Sequence, residues 1–351
     1  MTDLVVGAGA VGTLLAWSLA AGGRDVAIVR RGLVGPARRT EVTVIDPDGN
    51  RASASVTEIG SPTDLTAAPD VIVFAVKTFD LAVAAASCAA WPSAPTLTVS
   101  NGVGAEEIIA EARPGAGLVA GSVTVSVELA GEGTVTRLNR GGIGLAPVRG
   151  EVGALTDDLV RAFAAAGLRS RRLQDAAAMK WSKLMANLVG NASSAILDMT
   201  PADIYAEPAA FDVERRQLIE ALEVMKAQGL RTVALPGADV RLLALGVRLP
   251  ASIGRTIMRR VVAGARGGKD PSLRIHATSG SGPSEVHWLN GAVVRAADRL
   301  GLAAPVNRTL TELVDEVVAD PARRAWFKGR PDRLVEAVQA GTTTAAARSR
   351  A

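Results

Sequence analysis

Three polar residues, Lys183, Asn187 and Asn191, recur at intervals of four in the run Lys180-Trp181-Ser182-Lys183-Leu184-Met185-Ala186-Asn187-Leu188-Val189-Gly190-Asn191. On a helix that spacing sets them along one slowly turning face. Leu184, Met185, Leu188 and Val189 stand between them and are core-type residues, so the polar face is expected to be at least partly buried. Buried amides require hydrogen-bond partners, and a bound polar substrate would supply them. Asparagine is unfavourable inside a helix, so two on one face argue for a site; the alternative is a solvent-facing stripe on an amphipathic helix. A positioned ammonium can stabilise charge developing on a carbonyl oxygen and then deliver the proton. Six of the 39 basic residues are lysines: Lys77, Lys180, Lys183, Lys226, Lys269 and Lys328. A chain that otherwise meets its need for cations with arginine retains lysine where a compact, titratable amine suits the position.

A second constellation lies at the start of the chain. Asp3 to Val6 reads as a buried strand, and Gly7-Ala8-Gly9-Ala10-Val11-Gly12 leads from it into an amphipathic stretch through Leu19. In a dinucleotide-binding turn the first glycine permits the tight bend, the second admits a pyrophosphate to the backbone, and the third lets helix and strand pack closely. The helix N-terminus then offers free N–H groups to the anion. A second strand, Asp25 to Val29, ends in Arg30-Arg31-Gly32 with no carboxylate following it. A carboxylate there would serve the ribose hydroxyls of NAD, whereas guanidinium groups match a 2′-phosphate, so Arg31, with Arg30 beside it, favours NADPH. Two more candidates stand at the ends of later strands, Lys77 after Val71 to Val76 and Asn101 after Thr96 to Ser100. Ligands of open α/β sheets bind at the carboxyl ends of strands; the plainer reading is a loop lysine and a turn asparagine.

Composition bounds the function classes. The 351 residues suffice for two domains, and 48% hydrophobic with 21% charged residues describes a globular chain. A net charge of +4, spread over scattered arginines, does not by itself call for nucleic acid or an acidic membrane. Cys88 is the single cysteine, excluding an intrachain disulfide and a cysteine metal site, and His276 and His287 lack ligand spacing. The N-terminal apolar run is cut by glycines, unlike a signal peptide, and no apolar segment reaches a membrane span; a cytoplasmic protein is expected.

These residues must be positioned by two kinds of architecture. Through about residue 170, Val/Ile-rich runs alternate with helical segments, with strands expected at Val71 to Val76, Thr96 to Val99 and Leu118 to Val127, and a hairpin among Gly131, Gly133, Gly141, Gly142 and Gly144. From Leu173 the period becomes helical, over 174–197, 208–228, 250–265, 284–300 and 306–319. The expected fold class is α/β: a Rossmann-type dinucleotide-binding domain over 1–172, then an all-helical domain over 173–325. Residues 326–351 form an extension whose end, Ala340 to Ala351, reads as a frayed tail. The helix over 213–228 either packs against a second copy, making a homodimer, or completes the helical domain.

The motifs resemble, in order, those of the ketopantoate reductases: Gly7 to Gly12, Val76-Lys77, Asn101-Gly102-Val103-Gly104, Trp181-Ser182-Lys183-Leu184 with Asn187 and Asn191, Pro271-Ser272, Ser284-Glu285, Leu289 to Val294, and Gly301 to Asn307. The resemblance spans about residues 1–320. It implies NADPH/NADP+-dependent reduction of a 2-oxo acid, the namesake reaction being ketopantoate to pantoate in coenzyme A biosynthesis. It further implies that Lys183 is the catalytic lysine and Glu285 its acidic partner, also within reach of substrate. Asn187, Asn191 and Ser272 match substrate-binding positions, Lys77 and Asn101 the junction of cofactor and substrate, and Arg31 the 2′-phosphate contact.

Departures from the family pattern bear on the substrate. Leu273-Arg274-Ile275-His276 replaces the usual sequence after Ser272, Lys269 stands where an asparagine is common, and Val286-His287-Trp288 follows Glu285. These leave open a different 2-oxo acid or an imine, besides ketopantoate. A non-catalytic NADPH sensor is the third reading; it would need the glycine turn and Arg31 but no proton donor.

Overall fold

The computed structural model describes residues 2–250, 253–259, 270–279 and 282–348. They divide into two compact units, Met1–Lys180 with Leu235–Ala238, and Trp181–Ala234 with Asp239–Ala351. The division falls inside a helix. Lys269 lies outside the described residues, as does half of the expected helix 250–265, of which 253–259 is helical.

The first unit is built on one sheet of eleven strands among the described residues: β1 (Thr2–Val6), β2 (Asp25–Val29), β3 (Arg38–Ile45), β4 (Arg51–Ile59), β5 (Ile72–Phe74), β6 (Thr96–Thr98), β7 (Leu118–Val123), β8 (Val127–Gly131), β9 (Thr134–Arg137), β10 (Gly142–Arg149) and β11 (Arg169–Arg172). The spatial order is β11-β10-β7-β6-β5-β1-β2-β4-β3-β9-β8. Its centre, β7-β6-β5-β1-β2-β4, is parallel throughout. Such strands are covered on both faces and read as continuous apolar runs. Leu4, Val5, Ile72, Val73, Phe74 and Leu97 are accordingly fully buried. Because β2 and β5 flank β1, the strand order reverses there, at the switch point where open sheets bind ligands.

Four helices complete this unit: α1 (Ala10–Ala21), α2 (Leu81–Ser87), α3 (Ala105–Ala112) and α4 (Gly153–Ala165). The turn between β1 and α1 is dictated by contact. Gly7 has φ +111°, and a Cβ on it would lie 2.8 Å from the Ala75 carbonyl oxygen; on Gly12 a Cβ would lie 1.7 Å from the Gly7 oxygen. A Cβ on Gly9 would meet nothing within 4 Å.

The second unit is helical. Helix α5 (Ala176–Leu188) spans the division between the units and is followed by α6 (Asn191–Leu197), α7 (Pro201–Ala206), α8 (Pro208–Ala227), α9 (Val240–Arg248), α10 (253–259), α11 (Ser272–Ser279), α12 (Asn290–Arg299), α13 (Pro305–Ala319), α14 (Pro321–Phe327) and α15 (Pro331–Arg348). No helix among the described residues is long and apolar enough to cross a membrane.

Four expectations are corrected. The helix expected over 174–197 is two helices, because Gly190 adopts φ +61° and stops the first. The strand expected over 118–127 breaks after Val123, where the Thr124 hydroxyl donates to the Gly142 oxygen and also bonds the Pro236 oxygen. The helix expected from 284 begins as a 3₁₀ turn, Glu285–Trp288, and restarts at Asn290 after Leu289 leaves helical geometry with ψ −100°. Much of the expected frayed tail is the end of α15: Thr342 accepts a bond from Arg216 at 3.1 Å, while a Cβ on Gly341 would stand 2.2 Å from the Thr309 hydroxyl oxygen. Only residues 349–351 of that segment lie outside the described residues.

The glycines separate by cause, and substitution tests the separation. Gly12→Ala is expected to lose about 3 kcal/mol or more of stability, or to fail to fold, by overpacking backbone. Gly9→Ala should stay within about 0.5 kcal/mol of the parent in urea unfolding.

Candidate active site

In the sheet unit, chemistry gathers at strand exits. Gly9 caps α1 without a side-chain hydrogen bond, so the first-turn N–H groups can receive an anion. Together with the open space at Gly9, this fits a dinucleotide pyrophosphate. Beyond β2 the two arginines are treated differently. Arg30 donates from Nε to Glu58 at 2.6 Å, and Arg38 reaches the other Glu58 oxygen at 2.8 Å. Burial works against the Glu58 charge, but the two guanidiniums outweigh it and hold the carboxyl below its ordinary range. Arg31 projects instead into solvent, 87% exposed, with Asp80 of the turn after β5 at 3.9 Å. Arg31 is therefore the freer partner for a phosphate, and Arg30 is structural.

Lys77 and Asn101 are both exposed, and the backbones that carry them are laced together. Ser100 donates from its hydroxyl to the Val76 oxygen at 2.9 Å, and Thr78 donates to the Asn101 oxygen at 2.8 Å. The carboxyl ends of β5 and β6 thus form one cross-linked edge.

Helix α5, which runs from the sheet unit into the helical unit, is started by Asp175, which accepts the Ala178 N–H at 2.9 Å. Lys183 and Asn187 lie half-buried on α5, whose Leu184, Met185 and Leu188 are fully buried. Asn191 is not on that helix. It opens α6, is 3% exposed, and its Oδ1 accepts the Leu273 N–H at 3.1 Å. The partner expected from a bound substrate is supplied in part by the protein: Asn191 caps α11, the helix that begins with Ser272. Glu285 is buried at the head of its 3₁₀ turn, which Ser284 caps by accepting the Val286 N–H at 3.2 Å.

The break between α5 and α6 depends on a residue that the sequence reading passed over. Glu214 of α8 is fully buried, accepting the Gly190 N–H at 2.7 Å, the Ser193 hydroxyl at 2.6 Å and the Tyr205 hydroxyl at 3.0 Å. Burial pushes its carboxyl up from the ordinary range, against the pull of those donors. Lys180 was likewise noted only for the scarcity of lysine. It is 4% exposed and engaged with Ser100 and Glu106.

Comparison with known proteins agrees with this layout. Residues 4–150 match the model described as ketopantoate reductase PanE/ApbA, and residues 175–318 match its C-terminal counterpart. The chain belongs to the ketopantoate reductase family. It is 26% identical over 321 residues to the 2-dehydropantoate 2-reductase of Halobacterium salinarum, covering 90% of this chain and 98% of that one. The corresponding protein of Pyrobaculum aerophilum is 29% identical over 310 residues, covering 88% and 95%. Among solved structures, a PanE/ApbA family ketopantoate reductase from Ralstonia eutropha JMP134 superposes with TM-score 0.73 at 26% identity, over 91% of this chain and 98% of that one. A D-mandelate dehydrogenase bound to NADH and anilino(oxo)acetate shares the fold, with TM-score 0.71 at 18% identity over 91% and 98%.

The state of Glu214 gives this family member a testable pH dependence. Its folded carboxyl titrates above its unfolded value, so between the two the native state holds a proton that the unfolded chain has released. The stability it contributes is present at low pH and is lost as pH rises above the ordinary carboxylate range. Glu214→Gln keeps the acceptor for Gly190 and should flatten that decline in urea unfolding across pH. An unchanged slope would show that Glu214 titrates normally.

Proposed function

We propose that the chain catalyses NADPH-dependent reduction of a 2-oxo acid to a 2-hydroxy acid, with ketopantoate to pantoate as the reaction it fits best. Lys183 carries this reading: the chain belongs to the family, and Lys183, which the motif resemblance equates with the catalytic lysine, lies half-buried on α5 one turn before Asn187. The reduced nicotinamide would supply the hydride. The Lys183 ammonium stabilises the charge that develops on the ketone oxygen and delivers the proton to it. Glu285 orients the ammonium or accepts from a substrate hydroxyl, while Asn187, Asn191 and Ser272 hold the acid, Asn191 partly by capping the helix that bears Ser272. Gly7 to Gly12, Lys77 and Asn101 receive the cofactor, Asn101 on the substrate side as well, and Arg31 receives its 2′-phosphate.

The sequence after Ser272 favours a second reading, a different 2-oxo acid. Arg274 offers the substrate little new charge, because it pairs with Asp198 at 3.0 Å and Asp270 at 2.8 Å. Lys269 therefore remains as the added cation.

Steady-state oxidation of NADPH and NADH with ketopantoate and a panel of 2-oxo acids tests both readings. Ketopantoate turnover with NADPH is expected to fall about 10²- to 10⁴-fold in Lys183→Ala. Arg31→Ala should raise KM for NADPH about tenfold or more while leaving that for NADH nearly unchanged. Turnover of another acid alone would select the second reading, and binding of NADPH without any turnover would select a sensor.

A further inference from the structure

Lys180 is a buried ammonium for which the proposed reaction has no use. Its Nζ donates to the Ser100 carbonyl oxygen at 2.7 Å and lies 3.1 Å from a carboxylate oxygen of Glu106. All three residues belong to the sheet unit. Burying a lysine is costly unless the charge is paired and its donors are used, so the cost needs a return.

The position of its two partners supplies one. Ser100 immediately precedes Asn101, and Glu106 lies in the first turn of α3. Between them run Asn101-Gly102-Val103-Gly104, with Gly102 at φ +84° and Gly104 at φ +112°. Two glycines in left-handed geometry give this loop little stiffness of its own. The ammonium bridges its entry and its exit, while Thr78 holds the Asn101 carbonyl and Ser100 holds the end of β5. The loop that carries Asn101 is thus rigid through side chains from outside it.

We propose that Lys180, through Ser100 and Glu106, is a positioning residue that fixes the Asn101 carboxamide toward cofactor and substrate. The inference rests on the reading of Asn101 given under the proposed function. Lysine suits the task because a single compact ammonium can meet a carbonyl and a carboxylate at once, where a planar guanidinium demands more room. Misplacing a positioning group by about 1 Å can cost about 100-fold in rate.

A double-mutant cycle tests the idea. Lys180→Met keeps the length of the side chain and removes its charge; Glu106→Gln, which keeps an acceptor, is the milder variant if Lys180→Met unfolds. Folding of each is checked by thermal unfolding, and kcat, KM and NADPH affinity by fluorescence titration are measured alone and combined with Asn101→Ala. Lys180→Met is expected to lower kcat about 10- to 100-fold in the parent and less than threefold once Asn101 is alanine, with Lys180→Arg restoring little. Glu106→Gln should show the same coupling at smaller amplitude. Equal losses with and without Asn101 would overturn the proposal and make Lys180 a purely structural ion pair. If the parent turns over no 2-oxo acid, the proposed function falls. The cycle is then read in NADPH affinity, where additivity would likewise overturn the role of Lys180.

Discussion

The helical unit depends on a ladder of three buried polar side chains on α8, Glu214, Gln217 and Glu220, set three residues apart. Glu214 binds the turn between α5 and α6. Gln217 donates to the last carbonyl of α5, that of Leu188, at 3.3 Å and accepts from Asn290 at 2.8 Å. Glu220 accepts the first backbone N–H groups of α13, from Val306 and Asn307, both at 2.9 Å. Hydrogen bonds of this kind contribute about 0.5–1.5 kcal/mol each, and a buried polar group left without its partner costs about 1–3 kcal/mol. Each candidate residue described in this unit is tied to the ladder at short range. Lys183 and Asn187 ride on the helix that ends at Leu188, Asn191 follows the turn that Glu214 holds, and Asn191 in turn caps the helix of Ser272. Glu285 precedes Asn290 by one 3₁₀ turn.

The sheet unit reaches the same end by other means. Its central strands are apolar and covered on both faces, so position there is set by burial and by backbone contact, as at Gly7 and Gly12. Where the strands stop, polar side chains take over: Ser100 and Thr78 stitch two strand exits, and Lys180 ties the following loop. Precision is therefore concentrated at the edge where strand order reverses. That edge is also where a dinucleotide fold leaves its backbone open.

The two units differed in how readable they were, for the same physical reasons. Continuous apolar runs identify β1, β2, β5 and the start of β7, and the need for Gly7 and Gly12 is intelligible from sterics alone. The hairpin β3–β4 was not anticipated, since its strands carry polar and charged residues on an exposed face; its signal was Asp46-Pro47-Asp48-Gly49-Asn50, where Asp46 accepts the N–H groups of both Asp48 and Asn50. In the helical half a period of four from Lys183 to Asn191 suggested one helix, but a glycine at φ +61° outweighs periodicity. The buried carboxyl groups were illegible for a general reason: glutamate on a helix reads as solvent-facing, and only three-dimensional packing shows that donors from three separate segments converge on Glu214 and Glu220.

Charge placement at the end of β2 bears most directly on cofactor choice. The sequence singles out Arg31 with Arg30 beside it, and the structure separates the two: the buried Glu58 carboxylate lies between Arg30 and Arg38 and takes up one of their two positive charges. Their planes are held by that carboxylate, so neither guanidinium can turn to a ligand without leaving Glu58 buried with one partner fewer. Arg31 bears no such obligation: its contact with Asp80 is long and both side chains are substantially exposed, a type of pair that contributes about 0–1 kcal/mol. A 2′-phosphate arriving there would find a forked donor that gives up little to meet it, backed by the residual positive charge of the Arg30–Glu58–Arg38 cluster. A ribose with free hydroxyls would gain nothing comparable, because the nearby carboxylate is already committed. The proposed preference for the phosphorylated cofactor thus rests less on the presence of arginine than on Glu58, which decides which arginine is available.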